Sequence, residues 1–144
     1  MNHLGTICLD FDGVLHSYVS GWRGAGVIPD PPVPGAIGFI ERLQNEGYAV
    51  AIYSARSSKL RGRWAMRAWL EDRIVEHFGV DRVGADDCFG AIRWPWFKPP
   101  AILTIDDRAL TFTGAWPTIA AIKAFRPWNA AIGSRPPERE TAPR

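Results

Sequence analysis

The apolar run Leu4-Gly-Thr-Ile-Cys-Leu9 leads directly into Asp10-Phe-Asp-Gly13. A short apolar run that ends in an acidic residue is typical of a strand buried in a parallel sheet. Residues 48–53 and 101–105 form two further apolar runs, and the second also ends in acid, at Asp106-Asp107. Between these runs, apolar residues at helical spacing predict helices over 36–46 and 60–78. Alternating strands and helices predict an α/β fold, a Rossmann-like three-layer sandwich with a mainly parallel central sheet.

The rest of the chain gives weaker signals. Residues 80–83 are predicted to form a further short strand. Residues 84–100 and the glycine- and proline-rich stretch 13–35 are expected to be irregular. A short apolar segment covers 118–124. We expect one domain over residues 1–132 and a flexible polar tail over 133–144.

Composition limits the class of protein. With 144 residues, 47% hydrophobic residues and 22% charged residues, the chain is expected to fold around one core. Its apolar runs are shorter than a membrane span and its start lacks a signal peptide, which predicts a cytoplasmic protein without a membrane partner. The net charge of +2 is too small to indicate a nucleic-acid partner. Cys8 and Cys88 have no metal-binding spacing and are expected to be small buried residues.

The carboxyl ends of parallel strands carry the candidate chemistry, because ligands bind at that edge of an α/β sheet. The polar residues that the predicted topology brings there are Asp10, Asp12, Ser54, Lys98, Asp106 and Asp107. Four carboxylates that converge at one edge repel one another and are expected to need a cation. Oxygen ligands suit Mg²⁺, and zinc is disfavoured because no His or Cys joins the cluster.

These residues also occur in the order of a known family. The segments Leu9–Leu15, Ile52–Ser54, Lys98 and Leu103–Asp107 resemble the four ordered motifs of the haloacid dehalogenase (HAD) superfamily of phosphohydrolases. Receiver domains of two-component signalling use similar parts in a different order, with an early acidic pair and a phosphoacceptor in mid-chain. The resemblance spans about residues 4–110. One departure is Val14, where family members commonly carry Thr.

The resemblance implies roles for individual residues. Asp10 would attack phosphorus to form an aspartyl-phosphate, and Asp12 would act as general acid and then as general base. Ser54 and Lys98 would contact the phosphoryl group. Asp10, the backbone carbonyl of Asp12, and Asp106 would hold Mg²⁺, with Asp107 behind these ligands or on a metal-bound water. The predicted substrate contacts are Gly13, Ala55, Arg56, Tyr18, Trp22 and Arg23. Taken alone, Arg56 is more typical of an exposed arginine and His16 of a structural histidine, while Trp22 is as suited to inward packing as to substrate.

The resemblance further implies a capless enzyme, because the gaps between motifs are only about 40 residues each. Specificity would then depend on the flap, residues 16–24, on the aromatic loop 93–97, or on a second subunit in a homodimer. The expected partner is a phosphorylated small molecule such as a nucleotide, or the terminal phosphate of a nucleic acid. Two alternatives stay open: a non-catalytic module that senses phosphate or a phosphoprotein, and a phosphotransferase.

Overall fold

Three short parallel strands form the sheet in the computed structural model, which describes residues 3–132. The strands are β1 (Thr6–Leu9), β2 (Ala49–Ile52) and β3 (Leu103–Ile105), in the order β2-β1-β3. The register pairs Leu9 with Ile52 on one side and with Ile105 on the other. The three strands therefore end level with one another. This sheet and its helices confirm the predicted α/β class and are consistent with a Rossmann-like arrangement.

Four α-helices accompany the sheet: α1 (Ala36–Asn45), α2 (Leu60–Phe78), α3 (Arg82–Phe89) and α4 (Ile119–Ala124). A 3-10 helix follows at Trp128–Ile132. The predicted bounds of α1 and α2 agree with the structure to within one residue. Helix α2 ends where Gly79 adopts φ 63°, a left-handed conformation that glycine accepts without a side-chain clash. The predicted tail, Gly133–Arg144, lies outside the described residues.

The predicted strand over 80–83 is wrong, and so is the irregular structure expected over 84–89. Helix α3 begins at Arg82 because the Asp81 side chain accepts a hydrogen bond from the Gly84 N–H and caps the helix. Val80 and Val83 are both exposed, so they make no strand-like core contact. The chain returns to the sheet at Arg93, whose backbone pairs with Val50 and Ile52 at the outer edge of β2.

The core lies between the sheet and the first two helices. Helix α2 buries a stripe at four-residue spacing, formed by Gly62, Met66, Leu70 and Ile74. This stripe packs in one cluster with buried residues of the sheet and of α1, including Leu9, Val50, Ile52, Ile37 and Ile40. Strand β2 is buried along its whole length. The burial of these elements fixes the positions at which β1 and β2 end.

Strand β3 differs from the buried strand that its apolar sequence indicates. It is the edge strand next to β1, and its Leu103 side chain is 55% exposed. Helix α4 buries no residue among those described. Within residues 3–132, no helix combines the length and the apolar character that crossing a membrane requires.

We predict that Leu70→Ala lowers the free energy of unfolding by about 2–5 kcal/mol, because it opens a cavity in the fully buried stripe of α2. Leu60→Ala, in the same helix at a position 56% exposed, is the control and should change stability by less than about 0.5 kcal/mol. Chemical denaturation measures both. Equal losses in the two variants would contradict this packing of α2.

Candidate active site

The level strand ends bring three carboxylates together. The Asp10 N–H donates to the Ile105 carbonyl at 2.9 Å, which holds the residue after β1 beside the end of β3. Asp10, Asp106 and Asp107 each place a carboxylate oxygen within 4.8 Å of the others. Sequence reasoning brought four carboxylates to this edge; the structure groups these three, and Asp12 lies outside the cluster.

Two carboxyl groups of the acidic cluster have raised pKa values. Burial raises the pKa of Asp10 to about 8, and the negative charges of Asp106, Asp107 and Asp12 add to this effect. Burial also raises the pKa of Asp107, although the nearby Arg108 opposes the shift. A group of carboxylates in this environment is best stabilised by a cation.

Asp107 is the most deeply placed member of the cluster. Its side chain is 1% exposed, and neither of its carboxylate oxygens has a hydrogen-bond partner among the described residues. The nearest cation is Arg108, whose Nε lies 3.7 Å from Oδ2, beyond hydrogen-bond distance. Two unsatisfied oxygens next to two further carboxylates fit a divalent cation with oxygen ligands, and Mg²⁺ is such an ion.

The absence of a side chain at Gly13 leaves room for the Asp107 carboxylate. The residue has φ 83°, and a Cβ at this position would lie 2.3 Å from Asp107 Oδ2. The loop around it is tight, since the Phe11 carbonyl accepts hydrogen bonds from the N–H groups of Val14, Leu15 and His16. Only glycine allows both this conformation and this close approach.

Asp12 is held apart from the three-carboxylate cluster. Its Oδ2 accepts a hydrogen bond from Arg56 Nε at 2.8 Å, and its Oδ1 accepts from Arg56 Nη2 at 3.1 Å and from His16 Nδ1 at 2.9 Å. Burial alone would raise the pKa of Asp12, but these hydrogen bonds lower it below its ordinary value. The Asp12 carboxylate is therefore fixed in direction and favoured in its ionised form.

Arg56 is fully buried, so the expectation of an exposed arginine is wrong. Besides its two bonds to Asp12, its Nη1 donates to the carbonyls of Gly24, Ala25 and Val27, and its guanidinium lies 4.7 Å from the centre of the Trp22 ring. Each of its three nitrogens thus binds protein. In this arrangement Arg56 organises Asp12 and the end of the flap, whereas a substrate contact was predicted.

His16 has the structural role that its surroundings require. It is fully buried, and its Nε2 accepts the Asp30 N–H at 3.1 Å while Nδ1 faces Asp12. The Asp30 carboxylate in turn accepts hydrogen bonds from the N–H and hydroxyl groups of Ser20 in the flap. Sequence reasoning missed Asp30. The available signal was an acidic residue inside a proline-rich stretch. A carboxylate that folding buries there needs hydrogen-bond donors, and Ser20 supplies them.

The phosphate-contact candidates occupy different environments. Ser54 is buried beyond β2, and its hydroxyl accepts the Arg56 N–H at 3.2 Å. Ala55 and Lys98 are exposed. Lys98 forms no ion pair within the described part of the chain, but its charge reaches Cys8 on β1 and opposes the increase in the Cys8 pKa that burial causes. The structure therefore shows no ion pair between Lys98 and Asp10 within the described residues.

The flap candidates line the same region. Tyr18 adopts φ 59°, and its ring lies 5.8 Å from the guanidinium of Arg108. Trp22 places one face on Arg56 and is 44% exposed, which combines inward packing with an accessible surface. Arg23 is exposed.

The end of the described chain also supports the site. Trp128 Nε1 donates to the Gly13 carbonyl at 2.7 Å, and Asn129 Nδ2 donates to the Ser17 carbonyl at 3.2 Å. These contacts join residues more than a hundred positions apart, so nothing in the local sequence indicated them. They fix the loop after β1 from its outer side.

Comparisons with known proteins give little further information. No protein-family profile matches the sequence, and no curated protein matches it. A solved structure of a conserved protein from Bacteroides thetaiotaomicron is similar to this chain, with 23% sequence identity and a TM-score of 0.48. The similarity covers 84% of this chain and 87% of that chain.

We predict that Gly13→Ala weakens Mg²⁺ binding by about 10- to 100-fold, because the added methyl group displaces the Asp107 carboxylate. Gly21→Ala is the matched control: Gly21 also has a positive φ, of 70°, but beyond its chain neighbours no atom lies within 4 Å of the point that a Cβ would occupy. Titration calorimetry with Mg²⁺ measures both variants. Unchanged affinity in Gly13→Ala would remove Asp107 from the cation site.

We further predict that Arg56→Gln lowers the free energy of unfolding by about 3–5 kcal/mol, since it leaves Asp12 and three backbone carbonyls without their partner. Arg82→Gln, which removes exposed ion pairs to Glu71 and Asp72, should cost about 1 kcal/mol or less. Urea denaturation measures both. A loss below about 1 kcal/mol in Arg56→Gln would show that the buried network contributes little.

Proposed function

We propose that this protein is a Mg²⁺-dependent phosphomonoesterase of the HAD type that acts through an aspartyl-phosphate on Asp10. The observation that carries the proposal is the cluster of Asp10, Asp106 and Asp107, in which both oxygens of Asp107 lack a partner among the described residues. A fourth carboxylate, Asp12, is held outside this cluster by Arg56 and His16. Asp10 must be ionised to attack phosphorus, and a cation held by the cluster would favour that form against the effect of burial.

The residues support a two-step displacement. In the first step an Asp10 oxygen attacks phosphorus, the bond from phosphorus to the leaving oxygen breaks, and that oxygen takes a proton from Asp12. In the second step water attacks phosphorus and gives its proton to Asp12, and the bond to Asp10 breaks to release inorganic phosphate. The ionised form of Asp12, which His16 and Arg56 favour, suits the second step. The first step requires the protonated form, so Asp12 must take up a proton from solvent before the leaving oxygen can receive it.

Asp10, Asp106 and Asp107 are the residues that would hold Mg²⁺, and a bound ion would neutralise negative charge on the phosphoryl oxygens. Lys98 is exposed at the same edge and would pair with a phosphoryl oxygen. The Ser54 hydroxyl, already oriented by the Arg56 N–H, would donate to another. These groups orient the phosphoryl group in line with Asp10.

The proposal includes an open site without a cap domain. Between β1 and β2 the chain forms α1 and loops, and between β2 and β3 it forms α2, α3 and loops. The flap is the segment nearest to Asp12, because Arg56 and Asp30 attach it there. Tyr18, Trp22 and Arg23 in the flap would select the substrate, for which we propose a nucleotide or a nucleic-acid terminus.

We predict that the protein releases phosphate from an aryl phosphate only with Mg²⁺, and that Asp10→Asn lowers the rate by about 10³-fold or more. Asp86→Asn, an exposed position on α3, is the control and should retain full activity. A colorimetric phosphate assay with added Mg²⁺ or EDTA measures both variants. Equal phosphate release by the unmodified protein and Asp10→Asn would overturn the proposal.

The same assay separates the alternatives. A phosphate-sensing module would gain thermal stability from Mg²⁺ and phosphate without producing free phosphate. A phosphotransferase would release the leaving alcohol faster than phosphate when a second alcohol is present as acceptor. Stoichiometric release of alcohol and phosphate is the result that the proposed hydrolase requires.

A further inference from the structure

Positive charge is concentrated in three segments that lie next to the candidate site. Residues 13–29, 54–70 and 88–105 contain eight of the 17 Lys and Arg residues and none of the 15 Asp and Glu residues. The net charge of +2 therefore hides a strongly asymmetric distribution. One part of the surface is basic, and the acids outside the site are carried by other segments.

Contacts between these segments join them into one surface. The Arg61 side chain lies against Gly26, where a Cβ would be 2.8 Å from Arg61 Cδ. On the other side of α2, the Arg63 guanidinium lies 3.8 Å from the centre of the Trp96 ring. Arg67, one turn further along, lies 5.9 Å from the Trp94 ring. We call the exposed side chains of residues 22–26, 59–67 and 93–98 the basic surface.

The cations of the basic surface have no carboxylate partner. Among residues 3–130, no carboxylate lies within 4.0 Å of Lys59, Arg61, Arg63, Arg67, Arg93 or Lys98. Further along α2 and on α3, Arg73 pairs with Glu76 and Arg82 pairs with Glu71 and Asp72. Arg63 is half-buried and donates to the Trp94 carbonyl, so the cations available to an anionic partner are the exposed Lys59, Arg61, Arg67, Arg93 and Lys98.

Exposed aromatic rings lie among these cations. Trp64 is 69% exposed, Phe97 83% and Trp96 47%, although none of them is required to fill the core. Interleaved aromatic and basic side chains bind single-stranded nucleic acid, because bases stack on the rings while phosphates pair with the cations. An anionic lipid surface would satisfy the cations, but the flat faces of Trp64 and Trp96 are better matched by bases.

The basic surface leads to the candidate site. Helix α2 begins soon after Ser54, and Trp22 lies on the Arg56 side chain that holds Asp12. The charge of Lys98 reaches Cys8 on β1. From these juxtapositions, and resting on the proposed function, we propose that the basic surface binds a single-stranded polynucleotide and presents its terminal phosphate to Asp10. The substrate class would then be a nucleic-acid end, and small phosphate esters would be poorer substrates.

Binding is tested separately from catalysis, with the Asp10→Asn protein in EDTA. The probe is a fluorescein-labelled oligothymidylate of about 15 nucleotides, followed by fluorescence anisotropy across a range of NaCl concentrations. Each phosphate contact contributes about 0.7 to the salt slope for a single strand, so about four contacts predict a slope near −3. Absence of binding, or binding without a salt dependence, would overturn the inference and leave the phosphatase proposal intact.

Variants at exposed positions test the surface without disturbing the core. Trp64→Ala should weaken oligonucleotide binding by about 5- to 100-fold, through the loss of stacking. Trp116→Ala, which removes a ring 85% exposed outside the three segments, is the matched control. Lys59→Gln combined with Arg67→Gln should flatten the salt slope by about 1.4, whereas Arg82→Gln should leave it unchanged. Equal effects of Trp64→Ala and Trp116→Ala would contradict the proposal.

Substrate presentation is tested in the active protein with 3′- and 5′-phosphorylated oligonucleotides. Trp64→Ala should lower kcat/KM for the oligonucleotide that is the substrate and leave kcat/KM for an aryl phosphate unchanged. An equal decrease for both substrates would contradict presentation by the basic surface. Binding to phosphatidylserine vesicles without binding to oligonucleotides would instead identify a membrane-directed surface and overturn the inference.

Discussion

The parallel pairing of β1 with both neighbouring strands is the constraint on which the candidate site depends. Because Leu9 pairs with Ile52 and Ile105, the residues that follow each strand begin at the same level. Asp10, Ser54 and Asp106 need no long loop to reach that edge. The backbone hydrogen bonds of the sheet fix these positions. They also hold several carboxylates close together, and the repulsion between these negative charges is unfavourable.

The pKa values of the two acids in the loop after β1 are shifted in opposite directions. Asp10 faces further carboxylates, which contribute to its raised pKa, whereas Asp12 faces Arg56 and His16, which lower its pKa. Arg56 is the physical link between Asp12 and the flap, because the same guanidinium binds the carboxylate and three carbonyls beyond Trp22. The position of the flap and the orientation of Asp12 therefore both depend on one buried side chain.

Sequence reasoning succeeded where local periodicity determines structure. The apolar runs gave β1 and β2, and helical spacing with a terminal glycine gave α2. It failed at α3 because two valines resemble a short strand, while the decisive interaction is the Asp81 cap. The acidic cluster was predictable because parallel strands share an edge. The Trp128 bond to Gly13 was not, since it depends on how distant segments meet.

The surroundings of charged side chains were also difficult to predict from the sequence. The net charge of +2 was by itself too small to indicate a nucleic-acid partner, yet in the described part of the chain folding places cations without carboxylate partners, and exposed rings, next to the candidate site. Arg56 illustrates the opposite case, because folding buries a cation that its sequence context made typical of the surface. In both cases the partner of the side chain decides its role, and the partner is set by tertiary structure.

The most direct test of the account is to trap the covalent intermediate. In Asp12→Asn, with an aryl phosphate whose leaving group needs little protonation, loss of the base should slow the attack of water more than the attack of Asp10, so that phosphate accumulates on the protein during a single turnover with Mg²⁺. Acid quenching, proteolysis and mass spectrometry should then locate the phosphate on Asp10. Phosphate on another residue, or complete turnover without any phosphorylated protein, would contradict the proposed chemistry.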